Sequence, residues 1–149
     1  MTSSVVDAIA AGARSESEIW AAALLASPEW EPVFSPLAPD ELALGLETVY
    51  EAYLVHYGRP RLFDAPDADE AVLLGDYLYA HGLVRIAEEG GVDAVRVLAV
   101  LISRCAALRA DGLEGDGDAW VDAARALGGA PDDDAVARAL ELHSARVAA

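Results

Sequence analysis

Few residues in this 149-residue chain carry chemistry by type and spacing. Glu47 and Glu51 stand four positions apart, which places both carboxylates on one face of a helix. Gly58-Arg59-Pro60 sets a guanidinium in a helix-breaking turn, and Gly75-Asp76 sets a carboxylate near the start of an apolar helical segment. Other arrangements are excluded. His56, His81 and His143 lack the close spacing of zinc ligands. There is no glycine-flanked nucleophile elbow for Ser/His/Asp catalysis, no Walker motif and no dinucleotide fingerprint. The single cysteine, Cys105, lies among apolar residues and reads as a buried thiol rather than a reactive one. The acidic, glycine-rich stretch Asp111 to Asp118 invites comparison with a calcium loop, which needs a glycine at its sixth position and a glutamate at its twelfth. From Asp111 those positions hold Asp116 and Asp122, and from Asp116 the sixth is Val121, so the stretch is expected to be a solvated linker.

The elements that must position these residues are helical throughout. Val5 to Ala11 suits a short helix capped by Ser3 or Ser4 and ended by Gly12, and Ser15 with Glu18 has the form of a capping box for a second one. Four prolines between Ser27 and Pro39 rule out a regular helix there. The apolar residues among them, Trp30, Val33, Phe34 and Leu37, suggest a strap lying on the core or docking a partner. Pro39 with Asp40 and Glu41 opens a helix that runs to Tyr57, where Gly58 breaks it. Tyr50, Tyr53 and Tyr57 line one side of that helix. The next element, capped by Asp67 and Glu70, runs to Glu89; Gly90-Gly91 stops it, and Asp93 opens another that ends near Arg109. The centre of that last helix, Val95 to Leu101, is apolar almost all round and is expected to be buried between others. The stretch Asp69 to Arg109 is therefore the expected organising core. Helices over Asp118 to Leu127 and after Asp132 to Asp134 complete the chain. The expectation is one all-α domain, an orthogonal or antiparallel bundle of about six or seven helices. Its N-terminal part covers 1–39, its core 40–110, and its acidic linker and C-terminal helices 111–149.

Composition supports this class. Hydrophobic residues make up 54% of the chain but aromatic ones only 7%, so the apolar content is mostly Ala, Leu and Val. Alanine favours helices and lets them pack closely. Twenty-six acidic residues face ten arginines, with no lysine anywhere, for a formal charge of −16. Such a surface repels phosphate backbones and anionic headgroups, which argues against nucleic acid and membrane surfaces as partners. No apolar run approaches the roughly 20 residues that span a bilayer. No secretory leader is read at the start, so a cytoplasmic location is expected.

Two linked segments carry a resemblance. His56-Tyr57-Gly58-Arg59-Pro60, a short loop, and then Ala71-Val72-Leu73-Leu74-Gly75-Asp76-Tyr77-Leu78-Tyr79-Ala80 resemble the trans-polyprenyl diphosphate synthases. In that family a helix carrying the first aspartate-rich motif ends in an Arg-Arg-Gly-x-Pro turn. A helix beginning Ala-Val-Leu-x-Gly-Asp follows. The phrase Leu74-Gly75-Asp76-Tyr77 is also similar to the small, non-catalytic subunit of two-component heptaprenyl diphosphate synthases. The likeness covers roughly Leu42 to Gly112 and implies part of the isoprenoid synthase fold. It also implies a ligand set: Glu47 and Glu51 fall on aspartate-rich positions and would hold one divalent ion such as Mg2+, with Arg59 and Asp76 near a diphosphate and an apolar pocket lined by Tyr50, Tyr53 and Tyr79. The departures are large. Thr48 replaces a metal ligand, the turn arginines become His56 and Tyr57, and no lysine can neutralise a diphosphate.

The resemblance therefore implies a non-catalytic partner or scaffold subunit, with no catalytic residue and no required cofactor. A small metal-dependent prenyl diphosphate binder or enzyme, and a helical interaction module without isoprenoid connection, stand as alternatives. The plain structural alternative makes Glu47 and Glu51 a solvated face and Asp76 an internal helix hydrogen bond. Because the chain is short for the family, an uncovered apolar face is expected, formed by Tyr50, Tyr53, Tyr57 and the surroundings of Leu78. Such a face implies a homodimer, or a heterodimer with a full-length prenyl synthase.

Overall fold

Helix α3, Ala43–Tyr57, is apolar on every side except for Glu47, Thr48 and Glu51, and a helix of that composition has to be covered all round. It is: every residue from Gly45 to Leu54 is buried. The computed structural model describes residues 2–147 and wraps the rest of the chain around α3. Six α-helices are described: α1 (Thr2–Glu16), α2 (Glu18–Ala23), α3, α4 (Ala68–Ala110), α5 (Asp116–Ala126) and α6 (Asp133–Val147). The expected all-α bundle is what forms. Among the described residues there is no strand, only an isolated bridge between Leu24 and Phe63, and no helix is long and apolar enough to cross a membrane.

Packing divides at α3. On one side, Val33, Phe34 and Leu37 of the proline-rich strap join the second half of α4, α5 and α6 around Tyr50, Tyr53 and Trp120. On the other, Ile9 and Ala13 of α1 and Ala23 of α2 meet Leu62, Phe63, Leu74 and Leu78. The strap lies on the core, and its short 3-10 turns Ser35–Leu37 and Asp40–Leu42 lead directly into α3.

Several local expectations hold. Asp67 caps α4 by accepting from the Glu70 amide at 2.8 Å, and Asp132 accepts from the Ala135 amide at the start of α6. Gly91 has φ 72° and ψ −168°, a positive-φ conformation that glycine reaches without strain, so the stop read at Gly90-Gly91 divides α4 into two helices that meet at a kink. Other expectations are corrected. Helix α1 runs through Gly12 to Glu16, and the cap of α2 is Ser17, whose hydroxyl accepts from the Ile19 amide, rather than Ser15. The second half of α4 is not enclosed: Leu98, Leu101 and Cys105 face inward, while Val92 and Val100 are 74% and 61% exposed. The organising element is α3, and α4 packs along it.

Candidate functional site

Glu47 and Glu51 share one face of α3, as their spacing requires, but that face looks into the protein. The residue that meets them is Arg61, immediately after the turn proline, Pro60. Its Nη1 donates to Glu47 Oε1 at 2.6 Å and its Nε donates to Glu51 Oε1 at 2.9 Å. Glu51 Oε2 accepts the backbone amides of Arg61 and Leu62 at 2.9 and 2.8 Å. The guanidinium also donates to the carbonyls of Glu31 and Glu47, and it lies 4.2 Å from the centroid of Trp30 and 5.0 Å from that of Tyr50. All three charged residues are at most 1% exposed. Charges this far from water persist only when paired and hydrogen-bonded. Burial works against the Arg61 cation, but the two carboxylates outweigh it and raise its pKa further. One atom is left out: Glu47 Oε2 is buried and no protein group donates to it.

Tyr50 links this cluster to a second one. Its ring faces Arg61, and its hydroxyl lies 2.8 Å from His143 Nδ1. His143 Nε2 is 3.1 Å from Asp116 Oδ2. The Nε2-protonated tautomer satisfies both contacts: Tyr50 donates to Nδ1, and Nε2–H donates to the carboxylate. The same Asp116 oxygen accepts from the Tyr53 hydroxyl and from Arg109 Nη2 at 2.8 Å, while Arg109 Nε donates to the Tyr53 oxygen at 3.1 Å. Burial pushes the Asp116 pKa up, but the donors His143, Tyr53 and Arg109 together hold it well below the ordinary carboxylate value. Burial and the Asp116 hydrogen bond push the Tyr53 hydroxyl up, and burial does the same for Tyr50. Asp116, Arg109 and His143 form the floor of a cleft of about 560 Å³, with Ser144 and the apolar Leu113, Leu140 and Val147 on its walls.

The other predicted residues are dispersed. Arg59 points outward, donates to the Ala145 carbonyl at 3.3 Å and sits 3.9 Å from Glu29, so it fastens the strap and the end of α6. Asp76 is exposed and pairs with His56 at 3.5 Å. Gly75 beside it is a packing residue: a Cβ there would fall 2.4 Å from His56 Nε2, so the helices cross too closely for any larger side chain. Tyr79 stacks on His56 at 5.3 Å and does not join the Tyr50–Tyr53 stack. The two glutamates expected to hold magnesium are therefore paired with Arg61, and they are not a solvated face either. Among the described residues no group of three or more His, Cys, Asp or Glu side chains is arranged to hold a metal ion. The expected interface is also covered: Tyr50, Tyr53 and Leu78 are each 1% exposed, and only Tyr57 is part-buried. Cys105 is buried, and its thiol is pushed up to about 12 by that burial.

Asp116 corrects the reading of 111–118 as a plain linker, because the last part of that stretch begins α5 and enters the core. Arg61, Asp116, Arg109 and His143 were not singled out by spacing. A signal for the first did exist: two glutamates in a helix otherwise apolar all round have to find a buried cation. Nothing in the sequence distinguished Arg61 from the other arginines. No family model, no curated protein and no solved structure matches the chain.

Proposed function

We propose that the chain is a non-catalytic helical subunit that docks on a partner, the role its resemblance to the polyprenyl diphosphate synthases implied. The observation that carries this reading is the state of Glu51. Both of its oxygens are taken up by Arg61 and by the Leu62 amide, so the carboxylate that would bridge a metal to a diphosphate instead fastens the loop after α3. Arg59 is committed to the strap and α6. A departing diphosphate needs metals and several cations around it, and these residues supply neither.

Docking in this reading uses the second half of α4, not the tyrosine face. Exposed Val92 and Val100 lie along it, and a groove of about 290 Å³ runs between α4 and α5, walled by Val97, Leu101, Ala119 and Ala123 with Arg96 and Arg104 beside it. A charge of −16 repels a second copy at long range and steers toward a basic partner, which favours a heteromeric complex over a homodimer. The test has two arms. With allylic and homoallylic diphosphates plus magnesium, the purified chain should show neither turnover nor binding heat; turnover by the chain alone overturns the proposal. Mixed with a full-length polyprenyl diphosphate synthase of the same organism, light scattering should give the summed mass, and Val100→Asp should restore separate masses. Separate masses with the unmodified chain would remove this class of partner.

A further inference from the structure

The cleft of about 560 Å³ between the end of α4, the start of α5 and α6 is separate from the docking groove, with which it shares no lining residue. Its floor holds a carboxylate with one oxygen to spare. Asp116 Oδ2 accepts from Tyr53, Arg109 and His143, whereas Oδ1 has no donor among the described residues. The Asp116 side chain is 14% exposed, so Oδ1, unlike the sealed Glu47 Oε2, stays within reach of a solute. The three donors keep Asp116 ionised. Arg109 balances one negative charge, but the exposed acids Glu114 and Asp118 also stand on the lining. Whichever state His143 takes, three acids outweigh the bases and the cleft is negative. The rest of the lining is largely apolar: Leu113, Leu140 and Val147, of which Leu113 is 59% exposed.

These features narrow the occupant by its chemistry. An anion meets three acids there and is repelled. A neutral apolar molecule covers Leu113 but gives Oδ1 no charge-assisted hydrogen bond. A bare metal ion finds no set of three ligating side chains among the described residues, and it leaves Leu113 in water. A protonated amine on an apolar body answers the charged and the apolar lining at once. The volume equals the liquid share of roughly nineteen waters, which is room for about ten heavy atoms with solvent around them. We infer that this cleft binds a small organic cation, a protonated amine on an apolar body, with its ammonium group donating to Asp116 Oδ1 and its body lying on Leu113, Leu140 and Val147.

Three molecules of similar shape and different charge test this: 2-phenylethylamine, 2-phenylethanol and 3-phenylpropionate, titrated into the full chain at neutral pH and constant ionic strength. Binding heat and melting temperature are followed together. Saturable binding is expected for the amine, binding at least about tenfold weaker for the alcohol, and none for the carboxylate. Asp116→Asn keeps the shape of the floor and removes its charge, and should weaken the amine by at least about tenfold. Asp69→Asn removes the same charge from an exposed position outside the cleft and should leave the affinity unchanged. Ser144 is exposed on α6 and lines the cleft, so Ser144→Trp fills it without entering the core and should abolish binding. If Asp116→Asn fails to fold by circular dichroism, Ser144→Trp decides. An amine response no different from potassium chloride, equal binding of the alcohol or the carboxylate, equal weakening by Asp69→Asn, or binding that survives Ser144→Trp overturns the inference.

Discussion

The two polar centres that meet at Tyr50 are built in opposite ways. Around Arg61, the charged partners are local and sealed: Glu51 and Arg61 are ten residues apart, the loop between them is short, and the charged groups have no access to water. Around Asp116, the centre is half-open, and of its three partners only Arg109, seven residues away, is near in sequence. Tyr53 of α3, Arg109 of α4 and His143 of α6 converge on one carboxylate oxygen, and the cleft beside it admits solvent. The sealed centre pins a loop to the helix that organises the fold. The open centre ties α3 and α6 to the turn between α4 and α5. Water can replace a missing partner in the second and cannot in the first, so equal chemical deletions should have unequal costs.

The largest effect is expected at Arg61. Arg61→Met removes the only cation from two buried carboxylates and should destabilise by about 3–5 kcal/mol in denaturant unfolding. A cost below about 1 kcal/mol would mean that water reaches the carboxylates and that the two centres do not differ in kind. Asp116→Ala comes next. It leaves three donors behind, but the Arg109 side chain is 29% exposed and can turn to solvent, so about 1–3 kcal/mol is expected. This site also carries a pH signature. The Asp116 pKa is depressed in the folded state, so its contribution is complete above the ordinary value of 3.8 and is lost as the pH falls below that toward the depressed value. The stability gap between the unmodified chain and Asp116→Ala should be flat near neutrality and narrow in acid. A gap that widens in acid would contradict the assignment of Asp116 as the charged acceptor.

Much of the scaffold was legible from the chain, and the reasons are local. The caps at Asp67 and Asp132, the break at Gly91 and the end of α3 at Gly58 follow from short-range chemistry that any six residues reveal. The sites were less legible because they depend on what packs against what. Glu47 and Glu51 announce a shared face, but only the return of Arg61 across it decides between a metal, solvent and an ion pair. Val95 to Leu101 reads as apolar all round, yet α5 covers only part of it and Val100 stays exposed. Gly75-Asp76 shows how the same two residues admit different readings: the glycine is fixed by its distance to His56, and the aspartate lies outside in solvent.

The smallest effect sharpens the comparison most, because Tyr50 belongs to both centres. Tyr50→Phe keeps the aromatic face toward Arg61 and removes only the hydroxyl that donates to His143. One buried hydrogen bond is worth about 1 kcal/mol, which for a chain of this length is a melting shift of about 2–4 °C. The informative quantity is its coupling to the neighbours. His143 can donate from Nε2 to Asp116 while Nδ1 accepts from Tyr50, so losing either contact frees the ring to change tautomer or turn. Tyr50→Phe combined with Asp116→Ala should therefore cost less than the two single changes together, by about 0.5 kcal/mol or more in a double-mutant cycle. With Arg61→Met the same cycle should be closer to additive, since the ring that faces Arg61 survives in Phe. Strict additivity with Asp116→Ala would mean that Tyr50 merely touches both centres. Coupling would place the Tyr50 hydroxyl in the Asp116 network, while its ring alone faces Arg61.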